Sequence, residues 1–205
     1  MAKEQEIFWK EMRGIQDEII SIYSMKMQEY DSAEIMEQLL DNVIYETLYR
    51  GMEFLDGIRS KYFRGDIIYL PSGKSINTIH DTLHDNCQDH LNHWGLFEHL
   101  NNNNIIKRKE CMTKEKEIFW EVMIYIQDEI TSIYSMRIQK YDNKEELLDD
   151  VTYEAIYSIM ELFDGLRSKY FRGDIIFSPT GDSINTIHHT LHDVCPDYLK
   201  FSDVV

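Results

Sequence analysis

Phe8, Met12, Ile15, Ile19 and Ile22 recur at steps of four and three, with polar and charged residues between them. Residues so spaced share one face of an α-helix, so the segment is predicted to be a long amphipathic helix. Phe119, Met123, Ile126, Ile130 and Ile133 repeat the stripe. Asp31-Ser32 and Asp142-Asn143 follow, residue types that cap helix N-termini, and they predict a second helix. It carries Leu40, Val43, Leu48 and Leu55, or Leu148, Val151, Ile156 and Phe163. Gly57 or Gly165 marks its end, with arginine and lysine just beyond.

The polarity pattern then changes. Asp66-Ile-Ile-Tyr-Leu-Pro-Ser-Gly73 is a short apolar run closed by a turn sequence, which predicts a brief strand or extended arm. Asp174 to Gly181 repeats it. Ser75 or Ser183 is expected to cap a third helix bearing Ile76, Ile79 and Leu83, or Ile184, Ile187 and Leu191.

These elements come twice because the chain is a duplication. Lys3 to Asp31 align with Lys114 to Asp142 with 20 of 29 positions identical, and Leu39 to Leu91 align with Leu147 to Leu199 with 36 of 53 identical. The offset is 111 in the first block and 108 in the second. The expected fold is therefore mainly α: two tandem copies of a three-helix unit, each with a short extended strand or hairpin segment, packed as a pseudo-twofold pair. Residues 1–92 and 114–205 are the copies, and 93–113, with its run of asparagines at 101–104, is a solvated connector. The heptad-like first helices are the expected contact between copies. An ancestral homodimer fused into one chain would have this form.

Composition narrows the function. In 205 residues, 37 acidic side chains against 21 basic ones leave a formal charge of −16, which argues against general nucleic-acid binding and suits a basic protein partner or plain solubility. The N-terminus lacks a signal-peptide pattern and no stretch reaches membrane-spanning length, so a cytoplasmic protein without a membrane role is expected. Cys87, Cys111 and Cys195 form no disulfide framework and are expected to be reduced.

Two groups could carry chemistry. The first is Arg59-Ser-Lys-Tyr-Phe-Arg-Gly-Asp-Ile-Ile68, repeated unchanged as Arg167 to Ile176, the longest such run. Arg59, Lys61, Tyr62 and Arg64, with Arg167, Lys169, Tyr170 and Arg172, could hold a small anionic ligand or nucleotide by guanidinium pairing and ring stacking. Equally, the cations cap a helix end and the aromatics enter the core. The second is His80, His84 and Cys87, with His188, His192 and Cys195, at helical steps of four and three. Zinc or another divalent metal could bind there, with Glu53 or Glu161 as a further ligand, and activate water for hydrolysis. The plainer account has buried thiols and hydrogen-bonded histidines, with no cofactor.

Glu46, Tyr49, Glu53 and Asp56 share one face of the second helix, as do Glu154, Tyr157, Glu161 and Asp164, and a metal site would require that face to turn toward the third helix. No motif names a reaction. In size and charge the chain resembles immunity-type inhibitors, which present carboxylates where a target expects phosphate. A non-enzymatic acidic binding module is thus the leading expectation, ahead of a metal-dependent hydrolase and an anionic-ligand binder.

Overall fold

The computed structural model describes residues 3–29, 32–60, 62–76, 82–91, 113–177, 180–184 and 191–201. Copy one comprises helices α1 (Lys3–Glu29) and α2 (Ala33–Leu55), strands β1 (Gly65–Tyr69) and β2 (Lys74–Ser75), and helix α3 (Leu83–His90). Copy two repeats the order as α4 (Lys114–Arg137), α5 (Lys144–Asp164), β3 (Gly173–Phe177), β4 (Asp182–Ser183) and α6 (Leu191–Tyr198). A single 3-10 turn, Ile138–Lys140, extends α4. The fold is mainly helical with one small antiparallel sheet.

The apolar stripes do what their spacing implies. Phe8, Met12, Ile15 and Ile19 are buried, as are Phe119, Met123, Ile126 and Ile130, and both sets join one core with Leu40, Val43, Leu48, Leu55 and their counterparts. Each second helix ends through the same device. Ile58 N–H donates to Glu53 O at 2.9 Å and Gly57 N–H to Phe54 O at 2.9 Å, the two bonds of a Schellman ending, with Gly57 at φ +78°. In copy two, Leu166 N–H donates to Glu161 O and Gly165 N–H to Leu162 O, with Gly165 at φ +79°.

The copies meet differently from the expectation. The principal helix contacts between them pair α1 with α5, α2 with α4 and α2 with α5, so the second helices hold the centre rather than the first. The strands join too: the sheet order is β2-β1-β3-β4, all antiparallel. Ile67 faces Ile175, Gly65 faces Phe177 and Tyr69 faces Gly173. Gly65 is needed there, because a Cβ on it would lie 2.9 Å from Ile175 Cγ2. Rings cross the same seam, with Phe63 against Phe177 at 5.4 Å and Tyr69 against Phe171 at 5.6 Å. The third helices also reach across, since Trp9 stacks on Tyr198 at 5.6 Å and Trp120 on His90 at 5.0 Å.

The third helix begins later than its sequence suggested. Ser75 and Ser183 are strand residues, Ile76 and Ile184 enter the core directly after the strand, and α3 starts at Leu83 after Thr82. A hairpin therefore takes the stretch assigned to the first turn of that helix.

Candidate functional site

Two side-chain clusters occur in both copies, and both depend on the polar face of the second helix. The first is a knot of carboxylates around arginine. Arg59, just past the end of α2, reaches back to Glu18 on α1 and, at 3.3 Å, to Glu53. Arg50 joins from α2, with Nη1 2.5 Å from Glu18 and Nε 3.1 Å from Glu46. Burial works to raise the Glu18 carboxyl, but Arg50 and Arg59 together outweigh it and hold the group below the usual glutamate value.

Copy two keeps the carboxylates and loses one cation. Ser158 stands at the position of Arg50, and Arg167 alone serves three acids: Glu129, Glu161 at 2.7 Å and Glu154 at 3.3 Å. It also donates to Ser158 Oγ at 2.5 Å. Burial raises the Glu154 carboxyl above its ordinary value, and Arg167 offsets only part of that effect.

The second cluster joins the end of α2 to the start of α3. Asp56 Oδ2 accepts the backbone N–H of His84 at 2.9 Å and lies 2.9 Å from its Nδ1, while His84 Nε2 lies 3.3 Å from Asp85 Oδ1. Asp164, His192 and Asp193 repeat this at 2.9, 2.8 and 3.2 Å. Tyr49 sets its ring edge-on to His84, as Tyr157 does to His192. Burial, followed by the charge of Glu53, pushes Tyr49 up to about 12. The face of α2 does turn toward α3, as a shared site requires.

The sequence-derived sets separate on this frame. His80, His188 and Lys61 lie outside the described residues, as does Cys111. Cys87 and Cys195 are free and buried; each Sγ donates to a carbonyl one turn back, Leu83 O or Leu191 O, at 3.7 Å. Burial raises both thiols, which disfavours the thiolate a metal needs. Glu53 and Glu161 are engaged by arginine. Among the described residues no group of three or more His, Cys, Asp or Glu side chains converges as a metal-binding set.

The basic island is likewise divided. Arg59 and Arg167 are held by carboxylates. The stems of Arg64 and Arg172 lie against Gly57 and Gly165, where a Cβ would come within 2.9 and 3.0 Å of them. Phe63 and Phe171 are core residues, whereas Tyr62, Tyr170 and Lys169 are exposed. Arg50 was the legible omission, since its spacing from Glu46 is the i, i+4 signature of an ion pair. Glu18 and Glu129 had no such signal, because only tertiary packing brings their helices to the arginines.

Among helices of the described residues, none is long and apolar enough to cross a membrane. Compared with protein-family models, curated proteins and solved structures, the chain matches none of them.

Proposed function

We propose that this chain is a non-enzymatic, acidic binding protein whose partner is a basic protein, acting as a cytoplasmic immunity-type inhibitor or regulator. One observation carries the reading: Arg59 and Arg167, the first arginine of the most faithfully repeated run in each copy, already have carboxylates of their own chain as partners. A phosphate or nucleotide would have to displace those carboxylates. The excess of negative charge, −16 overall, is instead answered from outside the chain. In this reading the two copies act as a fused pseudo-dimer, which the antiparallel pairing of Ile67 with its own counterpart Ile175 supports.

The test is capture of a partner on the immobilised chain, followed by Kd measurements with the purified pair at rising salt. The expected partner is basic, and its Kd weakens steadily as exposed charges are screened. A tight partner indifferent to salt would remove the basis of the reading.

A second reading, a metal-dependent hydrolase, is favoured by the aspartate held against Nδ1 of His84 and of His192, the support that metal-ligating imidazoles usually have. Its test is elemental analysis of protein purified without tag or chelator. One metal ion per copy, lost in His84→Ala with His192→Ala, would displace the binding-module proposal. No metal retained after loading and desalting would end the hydrolase reading.

A further inference from the structure

We infer that copy two receives a guanidinium group from outside the chain, an arginine side chain of the basic partner, between Glu129 of α4 and Glu154 of α5, where copy one holds its own Arg50. The inference rests on the basic-partner reading and names the group the partner supplies and the place that takes it.

The duplication supplies an internal control. Glu18, Glu46 and Glu53 correspond to Glu129, Glu154 and Glu161, and Arg59 corresponds to Arg167, but the counterpart of Arg50 is Ser158. In copy one, two guanidiniums serve three carboxylates. Arg59 pairs with one oxygen of Glu18 and, at 3.3 Å, with Glu53. Arg50 takes the other oxygen of Glu18 at 2.5 Å and Glu46 at 3.1 Å. This set of acids, on these two helices, therefore accommodates a second guanidinium.

Copy two keeps the acids without that second cation. Arg167 pairs with one oxygen of Glu129, with Glu161 at 2.7 Å and with Glu154 at 3.3 Å, so a single positive charge is divided among three carboxylates. Its reach to Glu154, and to Ser158 Oγ at 2.5 Å, has no equivalent in the ion pairs of Arg59. That reach does not balance the knot. Burial still raises the Glu154 carboxyl above its ordinary value, and the charges of Glu161 and Glu129 push it the same way.

The place is open to a visitor. The side chains of Glu129 and Glu154 are 32% and 29% exposed, and Arg167 engages only one oxygen of Glu129. An incoming guanidinium takes the second oxygen of Glu129 together with Glu154, as Arg50 takes Glu18 and Glu46. Arg167 then keeps Glu129 and Glu161, the partners that Arg59 keeps in copy one. Arg50 bridges its two acids through separate nitrogens, Nη1 and Nε, and that fork is what a guanidinium offers and an ammonium lacks. Its donors lie around the whole plane, so approach from solvent serves as well as approach from residue 158.

The experiment titrates N-acetyl-arginine amide, a blocked arginine, into the intact chain at low salt, with carboxyl NMR on Glu129 and Glu154 and thermal melts to confirm that each variant folds. Wild type should show one site and Arg50→Ser two. Binding should be on the order of tenfold weaker both in Ser158→Arg, which fills the place, and in Glu154→Gln, which removes an acceptor without adding bulk. The ligand should also lower the Glu154 titration midpoint in wild type, since a neighbouring cation favours the carboxylate. No binding to wild type, equal binding to Ser158→Arg, or N-acetyl-lysine amide bound as tightly would overturn the guanidinium site. The basic-partner reading would survive each of these, because it stands on the salt-sensitive capture of a partner. A captured basic partner that binds Ser158→Arg and Glu154→Gln as tightly as wild type would overturn its arginine as the occupant.

Discussion

Asp56, the residue that closes α2, caps α3: its Oδ2 accepts the His84 amide at 2.9 Å, although 28 residues separate the two in sequence. The local N-cap of α3, Thr82, makes no capping bond to its own helix, and its hydroxyl donates to Asp85 instead. Asp164 does the same for His192. One carboxylate thus ends one helix, satisfies an orphan amide of the next and orients a histidine. Asp56→Ala should lower the unfolding free energy by about 1–3 kcal/mol in urea denaturation, because the amide loses its acceptor in a partly buried place. Asp56→Asn keeps an oxygen for that amide and should cost less. Equal and negligible losses in the two variants would remove Asp56 as the link between the helices.

Gly57 and Gly73 both sit at positive φ, +78° and +67°, but their surroundings differ. A Cβ on Gly57 would meet Arg64 Cβ at 2.9 Å, and also its Cγ at 3.0 Å and Cδ at 3.3 Å, the two atoms that alanine at 64 would remove, whereas one on Gly73 meets nothing within 4 Å. Alanine at either position incurs the left-handed backbone penalty, about 1–2 kcal/mol. Gly57→Ala should cost measurably more than Gly73→Ala, and Arg64→Ala should recover part of the difference. Identical melting temperatures for the two glycine variants would show that the Arg64 stem yields without cost.

Glu18 and Glu154 are shifted in opposite directions from the ordinary 4.5. For Glu18, burial is outweighed by Arg50 and Arg59, so its carboxylate stabilises the fold above 4.5 and that contribution fades as pH falls below it. For Glu154, burial dominates, the folded state keeps its proton longer than the unfolded chain, and stability declines as pH rises above 4.5. Carboxyl NMR titration should place the Glu18 midpoint below that of Glu154, and Arg50→Ala should raise Glu18. A reversed order would refute the account of the two knots.

The helical stripes were legible because a buried face at a period of 3.6 is a local property, and Phe8 to Ile19 and Phe119 to Ile130 are buried as their spacing implies. The ends of α2 and α5 were legible for a similar reason, since Gly57 and Gly165 must accommodate a left-handed turn. The partners of those faces were not legible. Helix stripes state that something covers them but not what, and α1 finds α5 where its twin α4 was expected. Ile76 and Ile184 fit a helical count with Ile79 and Leu83, or with Ile187 and Leu191, yet a two-residue strand precedes each of them. Period alone cannot separate a short strand from a first helical turn. Of the candidate site, the helix-two face was readable from its spacing, while the carboxylate from α1 and the capping role of Asp56 depend on tertiary packing.

The seam between β1 and β3 leads to the last prediction. The register pairs Ile67 with Ile175, its own counterpart, and pairs Gly65 with Phe177, the counterpart of Tyr69. If two copies of residues 1–92 met in this register, Ile67 would face Ile67 and Gly65 would face Tyr69, preserving each small-against-aromatic pair. A lone copy would instead expose Phe63, Ile67 and Trp9, which are buried in the whole chain partly against copy two. Residues 1–92 expressed alone should therefore form a homodimer or fail to fold, and should combine with residues 114–205 when the two are produced together. Light scattering after size exclusion would distinguish these outcomes. A stably folded monomer of either half would show that the copies are independent units, and that the strand seam is a contact the fold does not need.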